Sequence, residues 1–158
     1  MRSTTARALI PCAIIGTALN ACTATGGRAG SATRDVIIPA GATTLAAYSP
    51  AIRTGNLVFL SGQIGLLPGT RELAPGGIGP ETRQTLENVR TVLAAAGLTR
   101  EDLVKCTVFL ADIAEYEPMN RIYAEFFHGM AAPARSALGV SGLPLGARVE
   151  IECIARAH

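Results

Sequence analysis

Residues 80–110 run PETRQTLENVRTVLAAAGLTREDLVKCTVFL, and two periodicities meet in this one stretch. Pro80 suits the first turn of a helix, where its missing N–H leaves nothing unpaired, and Glu81 sets a negative charge against the positive end of the helix dipole. Leu86, Val89, Leu93 and Ala96 then recur at helical spacing. They form one apolar face of a helix over residues 80–97, closed by Gly97. Beyond that glycine the period drops to two, and residues 104–110, Val-Lys-Cys-Thr-Val-Phe-Leu, alternate as a strand. A helix with one apolar face leading directly into a strand is a unit of a layered α/β domain.

The flanks repeat the theme. Residues 115–127 predict a second helix, with Met119, Ile122, Tyr123 and Phe126 on its buried stripe. Pro133 starts an extended segment over 134–140, and a last strand over 148–155 follows the turn Leu143-Pro144-Leu145-Gly146. Upstream, residues 36–38 form a short strand ending at Pro39, and 57–61 form an apolar run after the turn pair Gly55-Asn56. Residues 66–80, rich in Gly and Pro without periodicity, form a loop. The order is ββ(β)–α–β–α–β–β. Right-handed crossovers place both helices on the same face of a single mixed sheet, an α/β (α+β) domain. The other face is left bare, and an uncovered apolar sheet face predicts a homo-oligomer with clefts between its subunits.

The 158-residue length suits one such domain behind a leader. Residues 1–22 read as an export signal: Arg2 and Arg7 lead, and residues 8–19 are uncharged, too short for a spanning helix. Leu19-Asn20-Ala21-Cys22 resembles a bacterial lipoprotein box, with Cys22 as the lipidated first residue; plain secretion is the alternative. Residues 23–34 are then a flexible tether and 35–158 the folded domain. The expected location is the cell envelope, periplasm-facing, with the membrane met only through the lipid at Cys22. A net charge of +2 and a single lysine, Lys105, leave no footprint for nucleic acid. Two distant histidines, His128 and His158, argue against a histidine-built metal site. Cys106 and Cys153 sit on strand-like runs and read as buried thiols, with a disulfide as the alternative an oxidising compartment allows.

Three features bear on chemistry. Arg135 is a charge inside a small, apolar segment, residues 131–138, and guanidinium binds carboxylate through two parallel hydrogen bonds. A structural ion pair is the competing reading. Glu150 and Glu152 share one strand face, and a carboxylate beside a cleft can orient or deprotonate water; a solvated edge is the plainer alternative. At Ser61-Gly62-Gln63 a strand ends, and glycine lets backbone approach a ligand closely.

With these, the blocks Tyr48-Ser49-Pro50-Ala51, GNLVFLSGQI over 55–64, TRQTLENV over 82–89, VKCTVFL over 104–110, NRIYAEFF over 120–127, Pro133-Ala134-Arg135-Ser136, Leu143-Pro144 and Val149-Glu150-Ile151-Glu152 resemble the RidA, or YjgF, family of imine deaminases. That resemblance implies a chorismate-mutase-like fold, a homotrimer with sites at the subunit interfaces, and hydrolysis of 2-imino and enamine acids to 2-keto acids and ammonia without metal or organic cofactor. It implies that Arg135 clamps the substrate carboxylate, that Glu150 holds the attacking water, and that Tyr48, Ser61, Gly62 and Asn120 line the pocket. Ala137 stands where many deaminating members carry Cys, which leaves a backbone contact only. A non-catalytic envelope module binding small carboxylates or partner proteins in the same clefts is the rival expectation. An RNA-cleaving activity fits poorly with the near-neutral charge.

Overall fold

The structure, a computed structural model, describes residues 33–41 and 47–158. The expected leader, Cys22 and nearly all of the tether lie outside the described residues. Six strands form one sheet: β1 (Arg34–Ile37), β2 (Ala51–Thr54), β3 (Leu57–Ile64), β4 (Leu103–Leu110), β5 (Ala134–Gly139) and β6 (Val149–Arg156), in the spatial order β1-β2-β3-β6-β4-β5. Strand β2 is the bracketed third strand of the N-terminal part. Its four residues are too few to show a period, and it pairs with β3 around Gly55, whose φ of 57° suits a tight hairpin. Strand β6 inserts between β3 and β4, antiparallel to both, and β5 pairs parallel to β4.

Helices α1 (Ile78–Ala95) and α2 (Tyr116–Phe126) supply the two crossovers. The first begins two residues earlier than Pro80. Gly76 and Gly77, at φ 104° and 88°, turn the chain into it. Its last turn has no basic residue of its own. Arg53 of β2 takes that place and donates from Nη2 to the Ala96 carbonyl at 2.7 Å. Leu86, Val89 and Leu93 are buried, as are Met119 and Tyr123 of α2, while Ile122 and Phe126 are partly covered. Phe127, just past α2, completes that stripe.

The helices pack on one face of the sheet. Val58 and Leu60 of β3, Val108 and Leu110 of β4, and Val149, Ile151 and Ala155 of β6 are buried beneath them. Residues that alternate with these on the sheet's other side stay accessible in the single chain; Phe59, for example, is 41% exposed. Among the described residues, no helix is long and apolar enough to cross a membrane.

The structure corrects the reading of Cys106 and Cys153 as thiols. They are joined in a disulfide with Cα atoms 4.1 Å apart. The cause is register: β4 and β6 place them directly opposite one another, both buried, where the Cβ atoms of an antiparallel pair come within bridging reach. Their 47-residue separation gives no hint of that register.

Candidate active site

Strand β3 carries one residue more than its partner. Leu60 pairs with Cys153 and Gln63 with Ile151, so Ser61 and Gly62 together oppose a single residue of β6. Such a bulge releases the strand from its ladder and re-aims what it carries. On the β2 side the Ser61 N–H donates to the Pro50 carbonyl at 3.0 Å, and the Ser61 hydroxyl donates to the Ser49 carbonyl at 2.7 Å. These bonds hold the segment that follows Tyr48 against the bulge. Gly62 has no side chain for a spatial reason: a Cβ there would overlap the Glu150 carboxylate, which lies over it.

A cleft of about 330 Å³ opens at this point, with Tyr48, Ser61, Gly62, Gln63, Asn88 and Glu150 in its wall. Two of these side chains are fixed by backbone. Gln63 donates to the Ser61 carbonyl at 2.9 Å. Asn88 of α1 donates to the Ile64 and Leu66 carbonyls at 2.8 and 2.9 Å and accepts from Gln84 at 2.9 Å. Glu81, buried in the first turn of α1, accepts from the Arg148 N–H at 2.7 Å and so anchors the start of β6, two residues before Glu150. Gly65 leaves room for that anchor, since a Cβ there would meet the Glu81 side chain and carbonyl.

Glu150 alternates with the buried Val149 and Ile151 and therefore projects away from the helices. Its carboxyl is held above the ordinary range, first by burial and second by the neighbouring charge of Glu152. A base with a raised pKa is ionised only above that pKa, so an activity that depends on it falls as the pH drops through a value higher than a free carboxylate would give. Glu152→Gln removes the second cause. The acid limb of kcat/KM is expected to move to lower pH in that variant, and an unmoved limb counts against Glu150 as the titrating group.

Arg135 lies elsewhere. Its register partner on β4 is Cys106, which points into the helix side, and β5 is separated from β6 by β4. Its guanidinium stands 4.5 Å from the centroid of the Tyr123 ring and 5.6 Å from that of Tyr116, and Nη2 donates to the Tyr116 hydroxyl at 2.8 Å. Asn120 falls between these tyrosines at helical spacing, and Ala137, one pleat along β5, is partly buried against the core. One chain therefore gathers Tyr48, Ser61, Gly62 and Glu150 in the cleft, and Arg135, Asn120 and Ala137 at the α2–β5 edge. The two groups do not meet within it.

A protein-family model described as Endoribonuclease L-PSP matches residues 40–157. The chain belongs to the endoribonuclease L-PSP family. This is the family to which RidA belongs. A RutC family protein of Pyrococcus horikoshii is 47% identical over 108 residues, which are 68% of this chain and 85% of the relative. A protein of Mus musculus named 2-iminobutanoate/2-iminopropanoate deaminase is 44% identical over 108 residues, 68% of this chain and 79% of the relative. The crystal structure of E. coli TdcF with bound serine matches at a TM-score of 0.74 and 35% identity, covering 78% of this chain and 99% of that one.

The structure of this L-PSP family member adds site roles that the sequence does not assign. Gln63 and Asn88 enter the cleft wall, Glu81 braces β6, and Tyr116 and Tyr123 hold Arg135. Asn88 had a signal, a polar residue beside the apolar stripe of α1, as did Tyr116, four residues before Asn120 on α2. Among the described residues, no group of three or more His, Cys, Asp and Glu side chains is gathered for a metal ion.

Proposed function

We propose that the chain hydrolyses 2-imino acids and their enamine tautomers to 2-keto acids and ammonia. The observation that carries this is the Glu150 carboxylate lodged over Gly62 in a cleft, with its basicity raised by burial. The activity in the mouse relative's name agrees with it. In this reading Arg135 of one subunit completes the Glu150 cleft of its neighbour, in a homotrimer with three interfacial sites. The separation of the two groups within one chain and the bare sheet face support that assembly.

The chemistry needs little beyond positioning. The substrate carboxylate lies on the guanidinium of Arg135, which sets the C=N carbon against the water held by Glu150. Water adds to that carbon while Glu150 takes its proton, and the C=N π pair moves to nitrogen, which receives that proton from Glu150. In the resulting carbinolamine Glu150 carries the hydroxyl proton to the amine, the C=O bond forms and the C–N bond breaks, releasing ammonia. One water is consumed, and one keto acid and one ammonia leave. Tyr48 and Ser61 shape the cleft, and the backbone around Ala137 borders the clamp.

Freshly generated 2-iminopropanoate tests this directly, with ammonia and pyruvate release followed together. The intact chain is expected to accelerate both. Arg135→Ala is expected to lower kcat/KM by about 10²-fold, because a charged, bidentate contact to the substrate is lost. Turnover unchanged in that variant sinks the clamp. Pyruvate binding without any turnover by the intact protein would put a carboxylate-binding module in place of the enzyme. Export and lipidation at Cys22 form part of the same proposal. The disulfide supports them, because such bonds persist in oxidising compartments.

A further inference from the structure

Arg135 is held by two tyrosines, and only one of them holds it by a hydrogen bond. Tyr123 is buried, with its ring face under the guanidinium. Its hydroxyl stays protonated: burial pushes its pKa up to about 12, against the opposing pull of Arg135. Stacking of this kind fixes the plane of a guanidinium but leaves it free to turn within that plane. Tyr116, the first residue of α2, supplies the missing restraint by accepting one N–H from Nη2 at 2.8 Å. The plane and the rotation are then both set. With one donor engaged by Tyr116, the guanidinium keeps further N–H groups in a fixed orientation for a planar carboxylate.

We infer that Tyr116 is a positioning residue for carboxylate capture, acting through its hydrogen bond to Arg135. The inference rests on the reading of Arg135 as the clamp. Its distinguishing feature is that it concerns binding and not the chemical step. A carboxylate that meets a turned guanidinium forms one hydrogen bond in place of two, so affinity falls while the C=N carbon, once bound, meets the same base. Tyr116 sits half-buried at the end of its helix, and loss of one oxygen there leaves the core untouched.

Tyr116→Phe keeps the ring and removes only the acceptor. Its KM for 2-iminopropanoate is expected to rise about 5- to 10-fold, the scale of one hydrogen bond to a charged group, with kcat within about twofold. The Kd for pyruvate, read by calorimetry without turnover, is expected to weaken by the same factor, while Tm stays unchanged. In the Arg135→Ala background the same substitution is expected to add nothing further. Arg135→Ala with no effect on KM or Kd overturns the clamp itself. A strong Arg135→Ala effect with Tyr116→Phe at wild-type KM and Kd leaves the clamp standing and overturns the role of Tyr116. A lowered Tm with kcat and KM reduced together would mean that Tyr116 is structural, and that also overturns it.

Discussion

Glu150→Gln is expected to lower kcat for 2-imino acid hydrolysis by about 10²- to 10³-fold, within the range of a positioned general base. The amide keeps the shape of the side chain over Gly62, so the cleft is preserved, but it cannot take the proton of the attacking water. KM is expected to change little, because in the proposed mechanism Arg135 holds the carboxylate of the substrate. Stability moves the other way. An acid whose folded-state pKa is raised contributes most at low pH, and its contribution is lost as the pH rises through that value. At neutral pH the ionised, half-buried Glu150 therefore weighs against the fold, and the uncharged amide does not. The expected pattern is a large loss of kcat with Tm unchanged or slightly higher. A kcat within about threefold of the parent would remove Glu150 from the chemistry, and a collapse of Tm would show that the loss is structural.

The second large effect concerns the disulfide. Cys106 and Cys153 close a loop of 47 residues between two central strands. The chain-entropy account of such a link gives about 4 kcal/mol of stabilisation through the unfolded state. The double substitution Cys106→Ala, Cys153→Ala is expected to lower Tm by on the order of 10 °C, using the usual scaling for a domain of this size. Reductant added to the folded protein is expected to act slowly, since both sulfurs are buried. Protein made without residues 1–22 in a reducing cytoplasm is expected to carry two alkylatable thiols and the lower Tm, and protein recovered from an envelope fraction neither. A parent chain with two free thiols in the envelope fraction would contradict both the staple and the proposed compartment.

How much of this was legible depended on whether a feature is local. The helix over 80–97 and the strand over 104–110 announce themselves because their periods are long enough to count, and α1 and β4 fall where those periods put them. Strand β2 has four residues and no period of its own; it exists because β3 pairs with it. The bulge at Ser61-Gly62 is invisible for a related reason, since an extra residue is defined only against a partner strand about ninety positions away. Arg135 stood out as a charge in apolar surroundings, but its tyrosine cradle comes from α2, and no spacing along the chain brings Tyr116 and Arg135 together. The disulfide is the sharpest case. Alternation placed Cys106 and Cys153 on strands, and only the register between those strands decides whether they are thiols or a bond.

The bulge in β3 also sets fold and chemistry in competition at a single position. Deleting one residue at 61–62 would restore an even ladder between β3 and β6, with Gln63 still opposite Ile151, and strengthen the sheet, while removing the bulged backbone over which the Glu150 carboxylate lies. The site is thus protected from drift by ordinary substitution, because no exchange of side chains can flatten the strand. It stands exposed to a different kind of change, in chain length. A descendant selected only for hardiness would be expected to lose that residue first, and with it the catalyst.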